Sequence, residues 1–373
     1  MEQTLTFCAP CLLGVEGLAA EELREMGCAQ VRAENGRVLF EGDESILARA
    51  NLCSRFSERV MILLGEFEAR SFEELFQGTK SLPWERFILK DDEFPVTGSS
   101  LNSQLHSVPD CQSIVKKAVV ERLKQKYGVT WFQETGPLHR IRFRILKDKV
   151  SLMLDTSGAG LHKRGYRKES TAAPIKETLA AALMKLARVR TDGNFIDPFC
   201  GSGTLLIEAA LFATHTAPGL LRRFNAERWG TASPAIWKRE RERCRDLILP
   251  DAVFHATGYD VDPAAVALTL ENAQKAGVGN YLSASVREIK NFTEAARYGC
   301  VVCNPPYGER LLDRQAAADI YRQMGQVFER KPGWSYGIIT PEEDFEVLFG
   351  RKADKRRKLY NGMIKCQFYQ YFK

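Results

Sequence analysis

The chain has 373 residues, 45% of them hydrophobic, enough for packed cores in two or three domains. No stretch of about 18 uninterrupted apolar residues occurs, and the opening M-E-Q-T has no basic region followed by an apolar segment of signal type, so the expectation is a cytoplasmic protein without a membrane span. The net charge of +6 permits an anionic partner without demonstrating one.

Residues 1–65 alternate short strand and helix signals. T-L-T-F-C-A-P reads as a strand and G-V-E-G-L-A-A-E-E-L-R-E-M-G as a helix with Leu18, Ala19 and Leu23 on one face. A strand at 36–40, a helix at 44–52 and a strand at 59–64 complete a β-α-β-α-β order, which fits a small α+β unit of ferredoxin-like type. Cys8 and Cys11, like Cys300 and Cys303 further on, have C-x-x-C spacing that invites a metal reading. Both pairs lie in strand-like apolar runs, where residues i and i+3 point to opposite faces and cannot share one ion. The cysteines are read as small core hydrophobes, and no metal is expected.

A second unit spans 66–157. Residues 72–78 read as helical, 95–97 as extended and 113–127 as a helix that turns Ile114, Val115, Ala118, Val119 and Leu123 inward. Its other face carries Lys116, Lys117, Arg122, Lys124 and Lys126, which by charge alone is a solvated surface. The preceding N-S-Q-L-H-S and the following R-I-R-F-R-I-L and V-S-L-M-L-D resemble the THUMP domain, an RNA-binding module of tRNA- and rRNA-modifying enzymes. That resemblance implies RNA contacts at Asn102, Ser103, Gln112, Lys116 and Lys117.

Residues 158–373 form the third unit. It opens with G-A-G-L-H-K-R-G-Y-R-K-E-S-T-A-A, a basic segment with one aromatic. Lys163, Arg164 and Arg167 suit phosphate contact, with a solvated hinge as the alternative. Pro174 begins a helix, P-I-K-E-T-L-A-A-A-L-M-K-L-A. Then comes F-I-D-P-F-C-G-S-G-T-L-L-I-E-A-A at 195–210: a buried strand, a glycine turn and a helix. Gly201 and Gly203 let backbone pass close to a ligand, and the first free N–H groups of the helix point at it. Asp197 stands where open α/β sheets place their binding crevice. A dinucleotide fold requires a glycine where Leu206 stands, and a phosphate-binding P-loop requires a lysine that is missing. An acid ahead of a short Gly-x-Gly suits a ligand with an amino-acid ammonium group.

D-P-F-C-G-S-G-T resembles motif I of class I S-adenosylmethionine methyltransferases. The resemblance implies a Rossmann-like domain in which Asp197, Pro198, Gly201, Ser202, Gly203 and Thr204 bind the cofactor. L-H-K-R-G-Y-R followed by A-P-I-K-E-T-L-A-A-A-L resembles the THUMP-containing rRNA guanine-N2 methyltransferase family, in which the helix before motif I helps close the cofactor pocket.

An insertion at 214–250 combines arginines with Trp229 and Trp237. RNA contact is one reading and, for its second half, a helix laced with i,i+4 Glu–Arg pairs is the other. The strand V-F-H-A-T-G-Y-D ends at Asp260, placed to accept both ribose hydroxyls, while Asp262 suits the N-cap of the next helix. Glu288, after the following strand, is the candidate for the adenine amino group. A buried strand at 299–303 then delivers Asn304, Pro305, Pro306 and Tyr307, about 100 residues after the glycine turn.

N-P-P-Y carries the chemistry. The lone pair of a nucleobase amino group is conjugated into the ring, so catalysis must hold that nitrogen in line with a methyl donor and accept its hydrogens. The Asn304 side-chain oxygen and the Pro305 carbonyl are two such acceptors, with the prolines fixing their direction. Tyr307 is placed to stack on an extruded base. Asn304 also borders the cofactor, and Arg310 in the G-E-R-L extension, which again resembles the guanine-N2 family, is a candidate RNA contact. Lys355, Arg356, Arg357 and Lys358 suit an RNA-facing edge or a solvated loop. The whole reading is an rRNA guanine-N2 methyltransferase, 23S rRNA first and tRNA second as the partner. A DNA adenine-N6 methyltransferase and a catalytically idle RNA-binding assembly factor are the rivals.

Overall fold

The structure, a computed structural model, describes residues 4–167, 175–294, 296–307 and 314–372. Strands β1 (Leu5–Pro10), β2 (Ala29–Glu34), β3 (Arg37–Gly42), β4 (Met61–Glu68), β5 (Val96–Leu101), β6 (Ile141–Leu146) and β7 (Lys149–Asp155) form one sheet in the order β2-β3-β1-β4-β7-β6-β5. Helices α1 (Glu16–Glu25), α2 (Glu44–Cys53), α3 (Phe72–Lys80) and α4 (Val108–Tyr127) share a core with one of its faces. Alternation sets that face: in β6, Ile141, Phe143 and Ile145 are buried while Arg142 and Arg144 turn the other way. Local signals fix the helix ends. Asp43 caps α2 by accepting from Ile46 N, Ser71 and Glu74 form a capping box on α3, and Gly128 ends α4 in the left-handed region.

The amino-terminal unit is β-α-β-β-α-β, so the expected order lacked β2, whose residues are mostly exposed and give no hydrophobic signal. A division at 65/66 falls inside β4, which pairs with β1 on one side and β7 on the other. The ferredoxin-like and THUMP units are therefore two halves of one sheet.

The second sheet holds β8 (Asn194–Asp197), β9 (His255–Asp260), β10 (Leu282–Val286), β11 (Gly299–Cys303), β12 (Trp334–Thr340), β13 (Lys355–Asn361) and β14 (Ile364–Phe372). Its order is β10-β9-β8-β11-β12-β14-β13, parallel through β12 and antiparallel beyond. Helices α5 (Glu177–Leu186), α6 (Thr204–Ala213) and α8 (Pro263–Lys275) pack with one core, and α9 (Arg314–Val327) and α10 (Phe345–Phe349) with the other. Cys8 and Cys11 fall in different hydrophobic clusters, as do Cys300 and Cys303, so the two thiols of each pair pack on different sides. Among the described residues no helix is long and apolar enough to cross a membrane.

The insertion docks the two sheets together. Its helix α7 (Pro234–Asp246) lies on α2, where Glu240 pairs with Arg49 at 2.9 Å and the Cys53 and Cys244 sulfurs stand 3.3 Å apart. Trp229 is buried, stacked on His139 with centroids 4.4 Å apart, and donates to Leu138 O. Trp237 stacks on Phe224. Neither tryptophan is on a surface where RNA can reach it.

Candidate active site

From β8 the chain runs outward to β9 and β10, then returns to β11 and β12 on the other side. Such a reversal opens a crevice at the carboxyl ends of the strands. Asp197 ends β8, and Asn304 directly follows β11, its neighbour. The two expected halves of the site therefore meet at the switch point.

Backbone bonds shape the turn between them: Cys200 N donates to Tyr259 O at 2.9 Å, and Gly203 N to Cys200 O at 2.7 Å. Gly201 and Gly203 have φ of +52° and +82°, a region that costs other residues about 1–2 kcal/mol. A Cβ on Gly203 would lie 2.9 Å from Thr269 Cγ2, so glycine also lets α8 approach. From α8, Thr269 Oγ1 donates to Gly201 O at 2.8 Å and Asn272 Nδ2 to Ser202 O at 3.0 Å. Nothing in the sequence motif pointed to these two loop supports.

Asp197 is buried and accepts from Phe199 N at 3.0 Å. Burial, with nearby Asp260 adding to it, pushes its carboxyl up to about 8. Among the described residues it forms no ion pair. Asp260 accepts from Gly201 N at 2.9 Å and from Asp262 N at 3.0 Å. A carboxylate has about four lone-pair positions, so each oxygen keeps capacity for a hydroxyl. Asp262 caps α8 by accepting from Ala264 N. Glu288 lies just past β10, but its carboxylate is half exposed and held 2.5 Å from Lys290 Nζ.

Asn304 is half-buried, and its Oδ1 is buried without a partner. Pro305 is buried. Tyr321, on α9, donates to Pro306 O at 3.3 Å and lies 2.9 Å from Thr340 Oγ1. Asn361 Nδ2 donates to Tyr307 Oη at 2.9 Å from the end of β13. The N-P-P-Y turn is thus gripped by two residues that the sequence did not single out. A buried acid without a cation beside an acceptor without a donor fits a ligand that brings an ammonium group and a substrate that brings an amino group.

A family model described as "RMKL-like, methyltransferase domain" matches residues 164–370. This chain belongs to that methyltransferase family. Models for an RlmL ferredoxin-like domain and a THUMP domain match residues 6–61 and 69–155. The protein named "Putative RNA methyltransferase YpsC" of Bacillus subtilis (strain 168) is 44% identical, covering 98% of this chain and 96% of its own. "Ribosomal RNA large subunit methyltransferase K/L" of Cellvibrio japonicus (strain Ueda107) is 34% identical over 95% of this chain, which spans about half, 49%, of that protein. Among solved structures, SMU.472, described as "a putative methyltransferase complexed with SAH", is 40% identical with a TM-score of 0.95, covering 100% of this chain and 99% of its own. Another, "a predicted N6-adenine-specific DNA methylase from Listeria monocytogenes str. 4b F2365", is 45% identical with a TM-score of 0.94, covering 99% and 96%. The chain is a class I methyltransferase domain preceded by ferredoxin-like and THUMP units.

The expected RNA contacts of this methyltransferase divide sharply. Asn102, Lys117 and Lys163 are exposed. Ser103 donates to Leu101 O within its own turn and accepts from Asp148 N of the β6–β7 turn. Gln112 donates to Val96 O, and Lys116 pairs with Glu134 at 2.6 Å while lying over the Phe94 ring. Those two fasten α4 to its surroundings. Arg164, expected as an RNA contact, is corrected: it is 2% exposed and forms a two-pronged pair with Glu208 of α6, both bonds at 3.1 Å. Arg167 also turns inward, to Thr204 and Glu177. Arg310, Glu309 and Pro174 lie outside the described residues.

The Arg164–Glu208 pair ties the cofactor helix to carbonyls of Ser54 and Arg55 in the amino-terminal unit. Glu208→Ala leaves a buried guanidinium without its anion and is expected to destabilise the fold by about 3–5 kcal/mol. Urea unfolding of the two proteins measures it, and a loss below about 1 kcal/mol means the pair is dispensable.

Proposed function

We propose that this chain is a cytoplasmic, S-adenosylmethionine-dependent RNA methyltransferase that modifies the exocyclic N2 of a guanine in large-subunit, 23S rRNA. The observation that carries it is the orphaned Asn304 Oδ1 just past β11, the strand beside that of Asp197, at the switch point of the sheet. The residues that would hold the donor are Asp197 at its ammonium group, the turn from Pro198 to Thr204, Asp260 at its ribose and Glu288 towards its adenine. Bound there, S-adenosylmethionine supplies an electrophilic methyl group. Asn304 Oδ1 accepts one hydrogen of the target amine and the Pro305 carbonyl the other, which turns the nitrogen lone pair out of the ring plane. Tyr307, steadied by Asn361, stacks on the extruded base. Positioning of this kind supplies most of the rate.

The THUMP unit and the names of the Bacillus and Cellvibrio relatives support RNA as the acceptor. A second reading, adenine N6 of DNA, is favoured by the name of the Listeria structure, and N-P-P-Y alone suits either base. Transfer of a labelled methyl group to total RNA and to DNA, both from a strain lacking the protein, separates them. Label in large-subunit rRNA is expected, and label in DNA alone overturns the proposal.

Lys117 and Lys163 remain the candidate phosphate contacts. Reversing both, Lys117→Glu with Lys163→Glu, is expected to weaken RNA binding and to flatten its salt dependence by about 2 in the slope of log K against log salt. Donor affinity stays as in the wild type. Filter binding across a salt series checks this, and an unchanged slope removes both residues from the RNA surface.

A further inference from the structure

The basic segment ahead of the glycine turn sends one guanidinium into the site itself. The Arg167 side chain is 12% exposed. Its Nη2 donates to Thr204 Oγ1 at 2.7 Å and pairs with Glu177 Oε1 at 2.9 Å. Thr204 is the first residue of α6, directly after Gly203, so this charge stands at the glycine turn. Arg167 Nε is buried without a partner, and a guanidinium has five N–H donors to place.

A donor of the S-adenosylmethionine type ends in both an ammonium and a carboxylate. Asp197 answers only the first. Arg164 is committed to Glu208 and three backbone carbonyls and Lys176 pairs with Glu58, while Arg55, whose Nη1 is also buried without a partner, bonds the Leu211 and Thr216 carbonyls at the other end of α6. Arg167 bonds the first residue of α6 directly and keeps its buried Nε without a partner. The free N–H groups at the start of α6 also suit a carboxylate, so the two must be separated by experiment. We infer that Arg167 receives the carboxylate of the methyl donor, with Glu177 and Thr204 holding its guanidinium in place. The inference rests on the methyl-donor reading above.

Calorimetry tests it with two ligands, S-adenosylhomocysteine and its decarboxylated analogue, on the wild type, Arg167→Ala and Arg167→Lys. The wild type is expected to prefer the intact ligand about 10- to 100-fold. Arg167→Ala loses that preference yet binds the analogue as the wild type does, which also shows that it is folded. Arg167→Lys, a cation without the planar fork, recovers part of the preference. An undiminished preference in Arg167→Ala overturns the inference and gives the carboxylate to the α6 amides. Equal weakening of both ligands overturns it too, since Arg167 then acts on the pocket as a whole. A wild type that binds neither ligand defeats the methyl-donor reading itself.

Discussion

Asn304→Ala is expected to lower methyl transfer by about 100-fold or more while donor affinity changes by no more than about twofold. The asymmetry follows from the position of Oδ1. It is buried and unpartnered in the protein alone, so its hydrogen bond is reserved for the substrate amine and is formed as the nitrogen is aligned. The rest of the turn is held independently by Tyr321 at Pro306 and Asn361 at Tyr307, and truncating residue 304 leaves those bonds in place. Single-turnover kinetics with saturating RNA, beside calorimetry of the donor, separates the two quantities. Wild-type turnover in the variant would remove Asn304 from the chemistry.

Asp197→Asn is expected to weaken donor binding by at least about 100-fold and, unusually for a change at a buried site, to stabilise the ligand-free protein near neutral pH. The amide keeps the acceptor for Phe199 N and removes a carboxyl that burial has pushed up to about 8. The sign is set by linkage. A group whose value is raised on folding contributes its full stability below its unfolded value and loses it as pH rises towards the folded one. For Asp197 that window runs from about pH 4 to about pH 8. The melting temperature of the wild type should therefore fall relative to Asp197→Asn across it. Donor binding should release a proton in the same window, since an ammonium partner draws Asp197 into its ionised form. Calorimetry in two buffers of different ionisation enthalpy reads that proton directly, and proton uptake, or none, contradicts the assignment.

How much of this could be read from the residues depended on whether the signal was local. The glycine turn, Asp260 at its strand end and Asp262 as a cap each follow from their near neighbours in the chain. N-P-P-Y could be placed because a buried strand leads into it. The bonds of Lys116, Gln112 and Arg164 are invisible to local pattern because their partners, Glu134, the Val96 carbonyl and Glu208, are 18, 16 and 44 residues away. The insertion follows the same rule: its Glu240 meets Arg49 of α2 and its Trp229 meets His139, contacts that no helical period encodes. Strand β2 was hidden for the opposite reason, since an exposed edge strand needs few apolar residues. The single sheet shared by the amino-terminal and THUMP units is a pairing of β4 with β7, about 90 residues apart, beyond any local pattern.

The proposed activity is amino-group methylation of guanine in rRNA. Its most direct test is mass analysis of nucleosides from 23S rRNA of a strain lacking the protein, before and after incubation with the purified enzyme and S-adenosylmethionine. N2-methylguanosine that rises with the wild type and fails to rise with Asn304→Ala is the expected result. A rise in N6-methyladenosine instead, or no new methylated nucleoside in RNA, would contradict it.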